Sequence, residues 1–200
     1  MDKEDKIIII GLSGKIGSGK DYIAKEIIGN YLKEKRIGYI HMAFSDAIKV
    51  HLMVSESIPY EKLFIKKSIE TRKKLQNLGM EMRENNDKIW IKYLDSWMKV
   101  YENRGIKVVL ISDVRFNNEN DYIKEKGGMV FRIIAPNRTL KKVKEESENN
   151  NEEINKIKNH ISEIELNDND IDKYDEIIYN DNEDHENKYE NIFKKINMKI

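Results

Sequence analysis

The chain has 200 residues, 39% of them hydrophobic, and its 36 basic and 36 acidic side chains cancel to a formal net charge of zero. That length supports one α/β domain with one real core, and the charge balance excludes an overall basic field able to hold a nucleic acid polymer. Cysteine is absent, which excludes disulfide frameworks and thiolate zinc sites and suits a reducing compartment.

The opening MDKEDK is acidic where a secretory or organellar leader would be basic, and the longest apolar run, near Ile7, is far short of a membrane span. A soluble, cytoplasmic protein with no membrane partner is expected. Residues 7 to 12 are largely β-branched and apolar on both faces, which predicts a central parallel strand. From Lys20 to Lys35, Ile23, Ala24, Ile27, Ile28, Tyr31 and Leu32 recur at helical spacing. "IGYIHMAFS" (37–45) predicts a second strand, and "DAIKVHLMV" the helix that leaves its end. Residues 60–104 carry only helical periodicity, broken around Asn85, Asn86 and Asp87, so two helices are expected with Asp87 as the second N-cap.

"IKVVLISDV" (106–114) predicts a third strand, followed by a short helix from about Asn118 to Lys126, a turn at Gly127 and Gly128, and a fourth strand in "MVFRIIA". From Asn137 to Asp172 the chain is dominated by Lys, Glu and Asn, a composition expected of a mobile or solvated segment. "YDEIIYNDN" restores a strand, and Tyr189, Ile192, Phe193 and Ile196 mark a final amphipathic helix. Strands alternating with helices predict a three-layer α/β fold: a mostly parallel five-stranded sheet flanked by helices, with ligands at the strand carboxyl ends. No internal repeat is present.

"GKIGSGKD", Gly14 to Asp21, fits the P-loop template GxxxxGK[ST] in every fixed place but the last, with a buried strand before it and a helix after it. Gly14, Lys15, Ile16, Gly17, Ser18, Gly19 and Lys20 are therefore candidates for binding the phosphates of ATP. Glycines let the loop amides turn inward around phosphate oxygens, the helix adds its positive end, and the lysine reaches the outer phosphates. Asp21 replaces the usual hydroxyl. A carboxylate there repels polyphosphate unless a cation intervenes, so Asp21 is a candidate Mg²⁺ ligand, direct or through water. The alternative is an N-terminal helix acid favoured by the dipole.

These residues resemble the phage-type deoxynucleoside monophosphate kinases, which share the GKD variant of the loop with animal phosphomevalonate kinases. "FSDAIK" (44–49), "TRKKLQNLGMEMRENNDKIWIKYL" (71–94) and "ISDVRFNNENDYIKEKGGMVFRI" (111–133) are similar to later segments of the phage family, in the same order. A phosphomevalonate kinase would read nearer SDTRR at Ser112 to Phe116. The resemblance implies a single P-loop kinase domain over 1–200, with a helical acceptor-binding region at about 46–104 and a polar lid at about 137–172. It further implies ATP as co-substrate with Mg²⁺, phosphorylation of deoxynucleoside monophosphates, residence in a host cytoplasm if viral, and a homodimer. The alternatives are a small-molecule kinase of the phosphomevalonate type and a nucleotide-binding module without turnover.

Phosphoryl transfer between two anions needs positive charge on donor, acceptor and the group in flight. Arg72 and Arg83 lie eleven residues apart, about three helical turns, hence on one face of an unbroken helix. Arg115 follows the third strand's end, where the sheet aims it at the cleft. By resemblance all three are acceptor-phosphate candidates; a solvated helix arginine is the alternative for the first two. Asp46 and Asp113 each follow a strand and could bind Mg²⁺ through water, orient Lys20, accept a sugar hydroxyl or simply cap a helix. Lys49 could meet the acceptor phosphate, and Trp90 could stack on an acceptor base or sit in the core. Arg138, with Lys141 and Lys142 one turn later, opens the lid and joins Lys20 and Arg115 as a catalytic candidate. Asn180 and Asn182 are adenine-side candidates by resemblance, or a plain turn. "NHISEIEL" (159–166) is similar to the family's H-SE stretch, with His160 otherwise a surface or capping residue.

Overall fold

The computed structural model describes residues 7–65, 67–147, 151–181 and 188–200. The isoleucine run forms β1 (Ile8–Gly14), joined by β2 (Tyr39–Met42), β3 (Val108–Val114), β4 (Met129–Ile134) and β5 (Glu176–Tyr179). Every pairing is parallel and the order is β2-β3-β1-β4-β5, so β1 is central and delivers its loop to the middle of the sheet edge.

Alternate side chains of a strand enter opposite layers, so a sheet covered on both faces needs apolar residues at successive positions. Ile9, Val109, Ile111 and Val130 pack on one face with Trp90, Ile91 and Leu94. Ile10, Leu12, Leu110 and Phe131 pack on the other with Ile23, Ile28, Ile192 and Ile196. The first face is covered by α3 (Phe44–Ser55), α4 (Ile69–Asn85), α5 (Ile89–Glu102) and α6 (Asn117–Glu125). On the second, α1 (Lys20–Tyr22), a π-helical stretch Ile23–Ile28 and α2 (Gly29–Glu34) run on as one helix beside α10 (Glu190–Asn197). Gly11 lies under α6: a Cβ added to it would lie 2.7 Å from Ile123 Cδ1 and 2.9 Å from Val114 Cγ2, so a side chain there would make both repack.

The three-layer parallel fold is the expected one, with four local corrections. The second strand stops at Met42 and its helix starts at Phe44, two residues before Asp46, because Asp113 accepts hydrogen bonds from the Phe44 and Ser45 N–H groups at 2.7 and 2.9 Å. A carboxylate from β3 thus caps α3. Asp87 does not cap α5: Lys88 holds that position, the Asn86 side chain accepts from the Lys88 N–H at 3.2 Å, and a short π-helical turn (Glu61–Ile65) precedes both helices.

The polar segment, expected to be mobile or solvated, carries three helices among its described residues, α7 (Pro136–Glu146), α8 (Asn151–Asn159) and α9 (Ile161–Ile164), largely exposed but with Val143 and Leu166 buried. Leu166 packs into the core on one face of the sheet, while Leu140, Ile161, Ile164 and Ile171 stay exposed. Trp90 is 2% exposed, packed in the core, and its indole N–H donates to the Gly79 carbonyl at 3.1 Å. It is no platform for a base. Replacing Trp90 by Phe removes that hydrogen bond and some ring contact, and should cost about 1–3 kcal/mol in urea unfolding while leaving acceptor KM unchanged. Unchanged stability with a raised acceptor KM would return Trp90 to the site.

Candidate active site

The loop between Gly14 and Lys20 turns through two left-handed glycines, Gly17 at φ 75° and Gly19 at φ 90°. Side chains rarely tolerate that region, and a Cβ on Gly19 would also lie 2.5 Å from Asn180 Nδ2. Asn180 is itself buried, donates to the Ser18 carbonyl at 2.8 Å and accepts from Lys188 Nζ at 2.6 Å. Its amide braces the loop from the end of β5. Asn182 lies outside the described residues. The Asn137 and Arg138 N–H groups donate to the Asp181 carboxylate at 2.8 and 3.0 Å, and Arg138 and Lys142 on α7 come up against Gly17 and Gly19. The start of the polar segment therefore stands beside the loop.

Lys20 is the first residue of the long helix and is only 6% exposed. Burial and then the neighbouring Arg115 push its pKa down to about 8, against the opposing pull of Asp21, Glu163 and Asp113. Its ammonium is 3.5 Å from the Lys15 carbonyl, so it is a desolvated cation turned back on its own loop. An anion in the loop would satisfy it. Lys15 is exposed and stands 3.8 Å from Asp168, a weak surface pair.

Asp21 accepts a hydrogen bond from Ser112 Oγ, at 2.7 Å, from the end of β3. Burial raises its pKa, but Lys20 and that hydroxyl outweigh burial and hold the carboxyl below its usual range, so it is ionised. Asp113 has both oxygens on the start of α3, and Asp46 accepts from the Ala43 N–H at 3.0 Å and from Lys49 Nζ at 2.7 Å. Both acids cap α3, so of the roles left open for them capping is the one the contacts support. Lys67 was not singled out in the sequence. Burial, then Lys49 and Arg72, lower its pKa, while Asp21 and Asp46 act against them. Lys49, Lys67 and Arg72 are thus one cationic group, and Lys67 also lines a cleft of about 540 Å³ with Ser68 and Thr71.

Arg83 shares the α4 face with Arg72 but is committed elsewhere. It pairs with Glu119 at 2.6 Å and covers the Phe116 ring at 4.0 Å, so its contacts fix the start of α6 and support a structural role. Arg115 is paired with Glu163, and the same nitrogen reaches the Ser162 carbonyl at 3.2 Å. Glu163 also accepts from the Ile16 N–H of the loop at 2.9 Å. His160 caps α9, its Nδ1 accepting from the Ser162 N–H at 3.2 Å. The partners of Glu163 lie up to 147 residues away, and no local spacing could announce them.

The family model described as phosphomevalonate kinase matches residues 12–128, more than half of the chain. The chain belongs to this family of P-loop kinases. The kinase is also 32% identical over 158 residues, 65% of its own length and 75% of the relative's, to a putative deoxynucleotide monophosphate kinase of Acanthamoeba polyphaga mimivirus. Its fold is shared by TT1252 from Thermus thermophilus, at TM-score 0.51 and 16% identity, with 98% of each chain covered. It is also shared by the Mycobacterium tuberculosis APS kinase solved with AMPPNP and APS, at TM-score 0.51 and 12% identity, with 98% of this chain and 99% of that one covered.

Holding Lys20 charged in a buried place costs the nucleotide-free kinase stability. Its folded pKa lies below its unfolded one, so the unfolded chain binds more protons between about pH 8 and 10.5 and this group's penalty fades as pH rises through that window. Lys20→Met should therefore stabilise the protein at pH 7 by on the order of 3 kcal/mol in urea unfolding, with a gap that narrows towards pH 10. A destabilised variant, or a gap independent of pH, would contradict a desolvated ammonium.

Proposed function

We propose that this kinase transfers the γ-phosphoryl group of ATP to the 5′-phosphate of a deoxynucleoside monophosphate, giving ADP and a deoxynucleoside diphosphate. The similarity to the viral protein of that name carries the reading. The β3 end supports it: Phe116 stands where a phosphomevalonate kinase would carry the second arginine of SDTRR, and it is 7% exposed beneath Arg83. The family model favours phosphomevalonate as the second candidate acceptor.

The chain's own groups account for the step. Loop amides and Lys20 hold the donor phosphates, while Lys49, Lys67 and Arg72 take the acceptor phosphate beside the cleft that would seat the rest of that molecule. Arg115, and Arg138 from α7, would complete the charge around the group in flight. An acceptor phosphate oxygen forms a bond to the γ-phosphorus as the bond to the β,γ-bridging oxygen breaks. The attacking oxygen is already anionic, so neither a general base nor a protein nucleophile is required.

The donor set suits Mg²⁺: Asp21 is an ionised oxygen ligand fixed by Ser112, and among the described residues no group of three or more His, Cys, Asp or Glu forms a ready-made cage. Such a site is completed by phosphate oxygens and water. When bound, the ion neutralises polyphosphate charge and offsets the repulsion of Asp21.

A coupled assay of ATP consumption against the four deoxynucleoside monophosphates, the ribonucleotides and phosphomevalonate tests the proposal. Turnover is expected with at least one deoxynucleotide, with the diphosphate as product and no phosphorylated protein. Turnover confined to phosphomevalonate would replace this reading with the second.

A further inference from the structure

Glu163 is 8% exposed and sits next to an anion-binding loop, where its charge would repel ATP unless compensated. Two groups compensate it. One oxygen pairs with Arg115, from the loop after β3, and the other accepts the Ile16 N–H, from the loop after β1, at 2.9 Å. The carboxylate therefore clamps two chain segments that β1 and β3, neighbours in the sheet, deliver to the same place.

The residues around it keep the clamp still. His160 caps the turn that presents it, and Glu165 accepts from the Asn117 N–H at 2.7 Å. Leu166 is buried in the core, and Asp168 accepts from the buried Arg132 at 2.7 and 2.9 Å. The segment after Glu163 is thus tied to the sheet and to the start of α6, and the segment before it to its own turn. Burial raises its pKa, but Arg115, Lys20 and the Ile16 N–H hold it below the usual carboxylate range.

We infer that Glu163 is a positioning residue whose carboxylate ties Arg115 to the main chain of the P-loop, so that the arginine and the loop amides meet the transferring phosphoryl group as one rigid unit. Arg115 Nη1 is spent on Glu163 and on the Ser162 carbonyl, which fixes the plane of the guanidinium and leaves its remaining N–H groups to the phosphates. Displacing a charge-bearing group by about an ångström can cost on the order of a hundredfold in rate without loss of binding. The inference rests on Arg115 acting at the phosphates, as proposed above, and not on which acceptor is phosphorylated.

The test is a double-mutant cycle of Glu163→Gln and Arg115→Gln, with kcat and KM for ATP measured on the acceptor that the panel shows to be used. Glutamine at 163 can still accept the Ile16 N–H, and the double variant removes both members of the ion pair together, so thermal melting shows which variants are folded. Glu163→Gln should lower kcat by about 10- to 100-fold with KM for ATP within about twofold, and should cost nothing further in the Arg115→Gln background. Additive losses, or a lower melting temperature with kcat intact, would overturn the inference. If no acceptor on the panel is used, the proposed function fails by itself. The cycle is then read on the hydrolysis of ATP with water as the acceptor, where a loss at Glu163 that vanishes in the Arg115→Gln background supports the clamp and additive losses refute it.

Discussion

The constraint on which the site depends is the burial of one ammonium, that of Lys20, where the central strand becomes a helix. Taking it out of water is unfavourable, and its pKa falls to about 8 as a result. The surrounding features follow from making that placement tolerable and useful. The two left-handed glycines turn the loop in front of it, Asn180 and α7 brace the loop from outside, and Asp21, Asp113 and Glu163 supply partial compensation. The fold pays for a site that a polyphosphate would complete.

The sheet explains why these groups can converge. In a parallel sheet all strands end on the same edge, so Gly14 of β1, Asp113 and Arg115 around the end of β3, and Asn180 after β5 arrive together although they are far apart in the chain. Lys49 of α3, Arg72 of α4 and Lys67 just before α4 form a second cationic group.

Much of this was legible in the sequence because it is local. The isoleucine run, the glycine spacing and the helix after Lys20 are encoded within about twenty residues, and runs of β-branched residues mark parallel strands wherever they occur. What was not legible depends on distant partners. Arg83 and Arg72 share a helix face, yet Glu119 claims the first; Asp113 caps a helix that starts 69 residues before it; Trp90 fills the core. The polar segment misleads for the same reason. Glu163, Glu165 and Asp168 look like solvent-facing acids until the sheet edge provides Arg115, Ile16, Asn117 and Arg132 as partners.

The most direct measurement is a calorimetric titration of the folded protein with ATP, ADP and AMP in the presence of Mg²⁺. If the loop amides and the buried lysine form a polyphosphate seat, one ATP should bind per chain and affinity should fall as the phosphate tail is shortened. Absence of heat with ATP, or equal affinity for all three nucleotides, would contradict it.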